Sequence, residues 1–174
     1  MKRKLVTAAV IIVVFLLQCT IFRHLTLASI APNLLIIVTS SFGFMRGRKT
    51  GMFVGLFSGI LMDTFFGFGG LLGLYALIYM LIGYINGLFK RLFYDEDLKL
   101  PLCLIAASEL VYGLTVYFLL FLMRSRFQFP YYLLHIIIPE LVYTIAVTVV
   151  LYQLILKINQ KLETEEKRSA SKFV

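Results

Sequence analysis

Three carboxylates stand inside otherwise apolar stretches of this chain: Asp63, Glu109 and Glu140. An ionisable side chain deep in a membrane-length helix costs up to roughly 2.5–3.5 kcal/mol on insertion scales, so each needs a partner or a task. Asp63 ends a series of four-residue steps, Gly51, Gly55, Gly59, Asp63. Each step drifts only about 40° around a helix, so the glycines form one slowly turning groove that another backbone can approach closely. Two uses are open: packing inside the chain's own bundle, or docking of a partner's helix. Gly83 and Gly87 repeat the spacing once, as a second and weaker groove. Asp63 reads as a clamp to Arg124 or Arg126, as a cap-like contact to the glycine-rich turn Gly67-Phe68-Gly69-Gly70, or as a contact to a partner.

Glu109 has Tyr112 and Gly113 one helical turn away, and Glu140 has Tyr143 and Thr144. Hydroxyls at these offsets share the carboxylate's face. Pro139 removes one backbone donor and frees the carbonyl of His135, which loosens the helix beside Glu140. A kink beside a carboxylate suggests a polar cavity open to the outside. It serves either a structural bond between helices or a pocket for a ligand or partner. The turn Arg46-Gly47-Arg48-Lys49 packs three positive charges into four residues, suited to lipid headgroups or a cytoplasmic partner. Enzyme motifs are missing: there is no HExxH, no G-x-S-x-G and no phosphate loop. His24 and His135 have no carboxylate at ligand spacing, and Cys19 and Cys103 are isolated. The expectation is no catalysis, no cofactor and no metal.

The elements that position these residues are six apolar stretches, roughly 5–22, 30–45, 50–66, 71–89, 100–123 and 131–156. Most reach the ~18–20 residues that cross a ~30 Å hydrocarbon core; the second is short. The chain is 60% apolar, which leaves almost nothing for a soluble domain. The expected fold is therefore all-α, a compact bundle of six transmembrane helices with short loops. Residues 1–157 form the membrane domain, and 158–174 a polar cytoplasmic tail that is partly disordered. All but three of the 17 basic residues fall on one side if both termini are cytoplasmic, the exceptions being Arg23, Arg124 and Arg126. The net charge of +8 follows from that sorting and from contact with anionic lipid, so no nucleic-acid partner is expected. The N-terminal basic cluster and apolar run resemble a signal peptide, but the run is long for one, and an uncleaved first helix is expected. Phenylalanine and tyrosine cluster near the ends of the stretches, as in an aromatic belt.

Taken together, these residues resemble the rod shape-determining protein MreD family. The likeness rests on Pro32-Asn33-Leu34-Leu35 opening the second helix, the basic turn Arg46-Gly47-Arg48, and the series Gly51, Gly55, Gly59, Asp63. It continues through Gly67, Leu72-Gly73, Tyr79, Gly83-Tyr84 and Pro139-Glu140-Leu141-Val142-Tyr143, with Thr144 where asparagine is expected. The resemblance spans essentially the whole membrane region. It implies a non-enzymatic subunit of the bacterial cell-elongation machinery in the cytoplasmic membrane. Its implied partners are MreC, the actin-like MreB, and the glycosyltransferase–transpeptidase pair that builds lateral peptidoglycan. Pro32, Asn33, the glycine series, Asp63, Pro139 and Glu140 are then the candidates for helix docking or partner binding. A homodimer is compatible with the sequence, which sets no stoichiometry. The alternative is a vitamin-binding subunit of an importer, also six helices long. Such subunits dock through small residues spaced four apart in the first helix. Here Thr7-Ala8-Ala9 runs into Ile11, Ile12 and Val13, a poor groove.

Overall fold

The computed structural model describes residues 2–24, 30–67, 73–92, 98–121 and 129–170. Among these the chain is all-α, with six helical rods, one for each apolar stretch. Helix α1 (Lys2–Cys19) is extended by the short α2 (Ile21–His24); α3 is Leu34–Arg46, α4 is Arg48–Phe66 and α5 is Leu74–Asn86, which tightens into a 3-10 segment at Gly87–Leu92. Helix α6 (Lys99–Val116) ends in a π-helical turn, Tyr117–Phe121. The last rod begins with α7 (Phe129–Tyr132), passes through a second π turn, Leu133–Ile137, and continues as α8 (Ile138–Ala170). The polar tail thus stays helical as far as Ala170, further than its composition suggests.

Helix α3 is the axis of the bundle. Every residue from Leu34 to Met45 is buried, and α1, α4, α5, α6 and α8 all pack against it. Its 13 residues span only ~20 Å, less than a bilayer core. A helix sheathed by protein need not match the bilayer, because its ends are satisfied by neighbours rather than by lipid or water. By length and composition alone, two stretches could cross a membrane, Lys99–Leu119 and Phe129–Glu166.

Helices α4 and α5 make the closest contact. A Cβ added at Gly51 would strike the carbonyl oxygen of Gly83, one at Gly55 that of Tyr79, and one at Gly59 the Cα of Ala76. In return, a Cβ at Gly83 would strike Gly51 and one at Gly87 would strike Arg48. The two glycine grooves therefore face each other, and α5 of the same chain occupies the stripe on α4. Gly47 alone separates α3 from α4, at φ 96°, a conformation that disfavours any residue with a Cβ.

Candidate functional site

Two of the hydrogen-bonded polar clusters stand at the two ends of α3. At its start, Asn33 is the N-cap, and its Oδ1 accepts from Ile36 N at 3.3 Å and from the Tyr79 hydroxyl at 2.7 Å. Asn33 N donates to Thr144 Oγ1 at 3.1 Å, and Leu35 N to Gln18 Oε1 at 3.2 Å. Three neighbouring rods thus hold the first turn of α3. Buried backbone donors there would otherwise lack partners, a loss of about 1–3 kcal/mol each. Pro32 is buried just ahead of the cap.

Asp63 lies beside this cluster and caps the helix next to its own. Oδ1 accepts from Tyr75 N at 3.1 Å and Oδ2 from Ala76 N at 2.8 Å. The N-cap position of α5 is Gly73, at φ 97°, which has no side chain to offer. A carboxylate from α4 takes over that role, and negative charge at a helix N-terminus is favoured by the helix dipole as well. The partners of Asp63 are thus backbone N–H groups of α5. Arg124 and Arg126, and the turn residues Phe68, Gly69 and Gly70, lie outside the described residues. Gly67 N closes α4 onto the Asp63 carbonyl at 3.1 Å.

Glu109 and Glu140 face each other across the α6–α8 contact. Glu109 is 2% exposed, and its Oε2 has no partner. Glu140 is half-buried beside Pro139. Tyr112 packs its ring against Tyr79 (centroids 5.5 Å apart) and Tyr75 (6.3 Å), forming one wall of the cluster. Gly113 lets α6 close on Ile137: a Cβ there would sit 3.2 Å from Ile137 Cγ1. The i+3 and i+4 neighbours divide unequally. Tyr112 packs on Tyr75 and Tyr79, Thr144 accepts from Asn33 N, and Tyr143 meets Phe22 edge-on.

The other end of α3 is built on Arg46. Its Nε donates to Asn159 Oδ1 at 2.6 Å and its Nη1 to Thr7 Oγ1 at 2.5 Å, and its guanidinium lies 4.3 Å over the Phe42 ring. Asn159 in turn donates to Glu163 Oε1 at 3.1 Å, and Arg3 pairs with Glu166 at 2.8 Å and with Glu163 at 3.7 Å. Burial, reinforced by the nearby Arg3 charge, pulls the Arg46 guanidinium down to about 10, against the pull of Glu163 and Glu166. It stays charged at neutral pH. Arg48 and Lys49 of the same turn are exposed. The basic turn is therefore two things: a half-buried tie among α1, α3 and α8, and a pair of free-standing surface cations.

Sequence reasoning singled out Asn33, Asp63, Glu109 and Glu140 but missed Gln18, Thr7 and Asn159. Each of these is a polar residue in a long helix, and each takes its partner from a distant part of the chain. Gln18 carried the clearest signal, an amide alone in an apolar run. Among the described residues, no group of three or more His, Cys, Asp or Glu side chains is arranged to hold a metal.

The family model for rod shape-determining protein MreD matches residues 1–162. The chain belongs to the MreD family. It is accordingly a rod-shape-determining membrane protein. No curated protein and no solved structure matches it. For an MreD-family chain, the match takes in all six rods and stops within α8, before the last acidic residues of the tail.

Proposed function

We propose that this MreD-family protein is a non-enzymatic, multi-pass scaffold of the cell-elongation machinery, with six transmembrane helices and both termini in the cytoplasm. It holds MreC and, with it, MreB and the glycosyltransferase–transpeptidase pair that makes lateral peptidoglycan. The observation that carries this reading is the family match over residues 1–162. The bundle supports it. Its helices are joined so closely that little chain is left for chemistry outside the membrane, and the charges of the connecting turns sort to one side. That sorting puts the Arg46 end of α3 in the cytoplasm and the Asn33 end outside.

The glycine stripe Gly51, Gly55, Gly59 is filled by α5, so it acts on partners indirectly, by fixing α4 and α5 as one unit capped by Asp63. We place the partner contact at the outer end, where Asn33, next to Pro32, is tied to Thr144 of the rod that carries Pro139 and the half-buried Glu140. Arg48 and Lys49 face lipid headgroups on the inner side. Reporter fusions test the topology: those at Asp97 and after Val174 read cytoplasmic, and those at Gly69 and Gln128 read external. Depletion in a rod-shaped host tests the role and is expected to give swollen or rounded cells. Normal rods with failed vitamin uptake would replace this reading with an importer subunit.

A further inference from the structure

We propose that a groove between the start of α1 and the end of α8 is a binding site for one anionic phospholipid, with an acyl chain in the groove and the phosphate on the lysines at its rim. The groove holds about 420 Å3 and is lined by Leu5 and Val6 of α1 and by Ile158, Lys161, Leu162 and Glu165 of α8. It opens because α1 and α8 each pack against α3 and reach one another here through long side chains. Arg3 spans to Glu163 and Glu166, and Arg46 joins Thr7 to Asn159. Leu162 is buried and Leu5 is 70% exposed, so the groove runs from the packed interior out to the surface.

The occupant follows from the groove's level and its charge. The apolar run of α1 begins at Leu5, directly after Lys4, and that of α8 ends at Leu156, directly before Lys157. The groove therefore straddles the level at which hydrocarbon gives way to headgroups. Apolar walls with a charged rim at that level suit an amphiphile. Lys161 lines the groove, Lys4 and Lys157 adjoin lining residues in sequence, and all three are exposed. Arg3 engages Glu163 and Glu166, which leaves Glu165 alone against three ammonium groups. A rim of net positive charge favours an anionic headgroup over a zwitterionic one. Size disfavours a partner's helix. A helix about 10 Å across fills roughly this volume in a single turn, whereas a hydrocarbon chain is far thinner. The assignment to the inner leaflet rests on the topology proposed above; the site itself does not.

The test is native mass spectrometry of the full chain in mild detergent, incubated with phosphatidylglycerol or with phosphatidylcholine of the same acyl chains. Both faces of the protein meet the lipid, so the result stands whichever way the chain is oriented. The wild type is expected to retain one phosphatidylglycerol per chain at a concentration about tenfold below that needed for phosphatidylcholine. Leu5→Trp, at an exposed position, fills the groove and removes the retained lipid. Lys161→Glu keeps one lipid and abolishes the preference. Arg91→Glu makes the same charge change at an exposed residue of the 3-10 segment, which packs against α3, α4 and α5, and is expected to leave binding unchanged. Equal retention of the two lipids by the wild type would overturn the proposal. So would retention unaltered in both groove variants, or loss of the preference in Arg91→Glu, which would reduce the attraction to overall charge. A two-chain mass in the wild type that carries no lipid and disappears in Leu5→Trp would give the groove to a second copy instead.

Discussion

Along the α4–α5 seam, glycine meets backbone: Gly51, Gly55 and Gly59 press on Gly83, Tyr79 and Ala76 with no room for a methyl group. Along the α6–α8 contact, Glu109 faces Glu140, and Gly113 brings α6 against Ile137. The first seam is held by shape. Its two backbones have one closest approach, and any added atom must push them apart. The second brings two carboxyl side chains together between two irregular helix ends. A helix pair that is tight by sterics can serve as a frame, and a pair with irregular helix ends can move against it. Asp63 reinforces the frame, since it fastens the start of α5 to α4 through two backbone donors.

The sharpest way to break this contrast is Gly55→Leu. Overpacking a well-filled contact costs about 1–3 kcal/mol, and here the first added carbon already strikes the Tyr79 carbonyl, so the loss exceeds that range. Membrane abundance is expected to collapse. A Gly55→Leu protein that inserts at normal levels and loses only its co-purifying partners would mean that the stripe is a partner groove after all.

Asp63→Lys comes next. It removes both acceptors and sets a cation against the positive end of α5, so abundance falls severely. Because the donors are backbone groups, Arg124→Asp in addition is expected to restore nothing. Recovery of abundance by the double change would establish an arginine clamp. Asp63→Asn keeps one acceptor and loses about 1–3 kcal/mol, read as a lower unfolding temperature in detergent.

Arg46→Ala tests the other end of α3. It removes the bonds to Thr7 and Asn159 and loosens α8 from α1, at about 1–3 kcal/mol. Arg46→Lys recovers little of this, because an ammonium cannot span Thr7 and Asn159 with a fixed fork. Arg48→Ala, two residues on, is exposed and stays within about 0.5 kcal/mol of the wild type.

Glu140→Gln is expected to disturb the fold little, because an amide keeps the size and polarity of the carboxyl. Abundance near the wild-type level together with impaired rescue of rod shape would separate the α6–α8 contact from the frame in function. Equal losses of abundance in Glu140→Gln and Gly55→Leu would erase the contrast.

The sequence alone determined that the chain is built of apolar helices, where they begin and end within a few residues except at the end of the last, and which face of α4 must lie against a backbone. Those properties are local. Apolar length, glycine spacing and loop brevity act through one helix at a time, so they can be read without knowing the neighbours. It also marked Asn33, Asp63, Glu109 and Glu140, because a polar group in an apolar run is conspicuous wherever its partner lies. The identity of the partners was decided only by the tertiary structure. Asp63 takes its donors from α5, Asn33 joins Tyr79 to Thr144, and Glu109 finds Glu140, 31 positions away. The helical reach of the tail to Ala170 is likewise tertiary, since Glu163 and Glu166 find Arg3 at the opposite end of the chain. Pairings of this kind depend on which rods become neighbours around α3. Spacing along one helix carries no record of that, because the register between helices is set by packing and not by sequence separation.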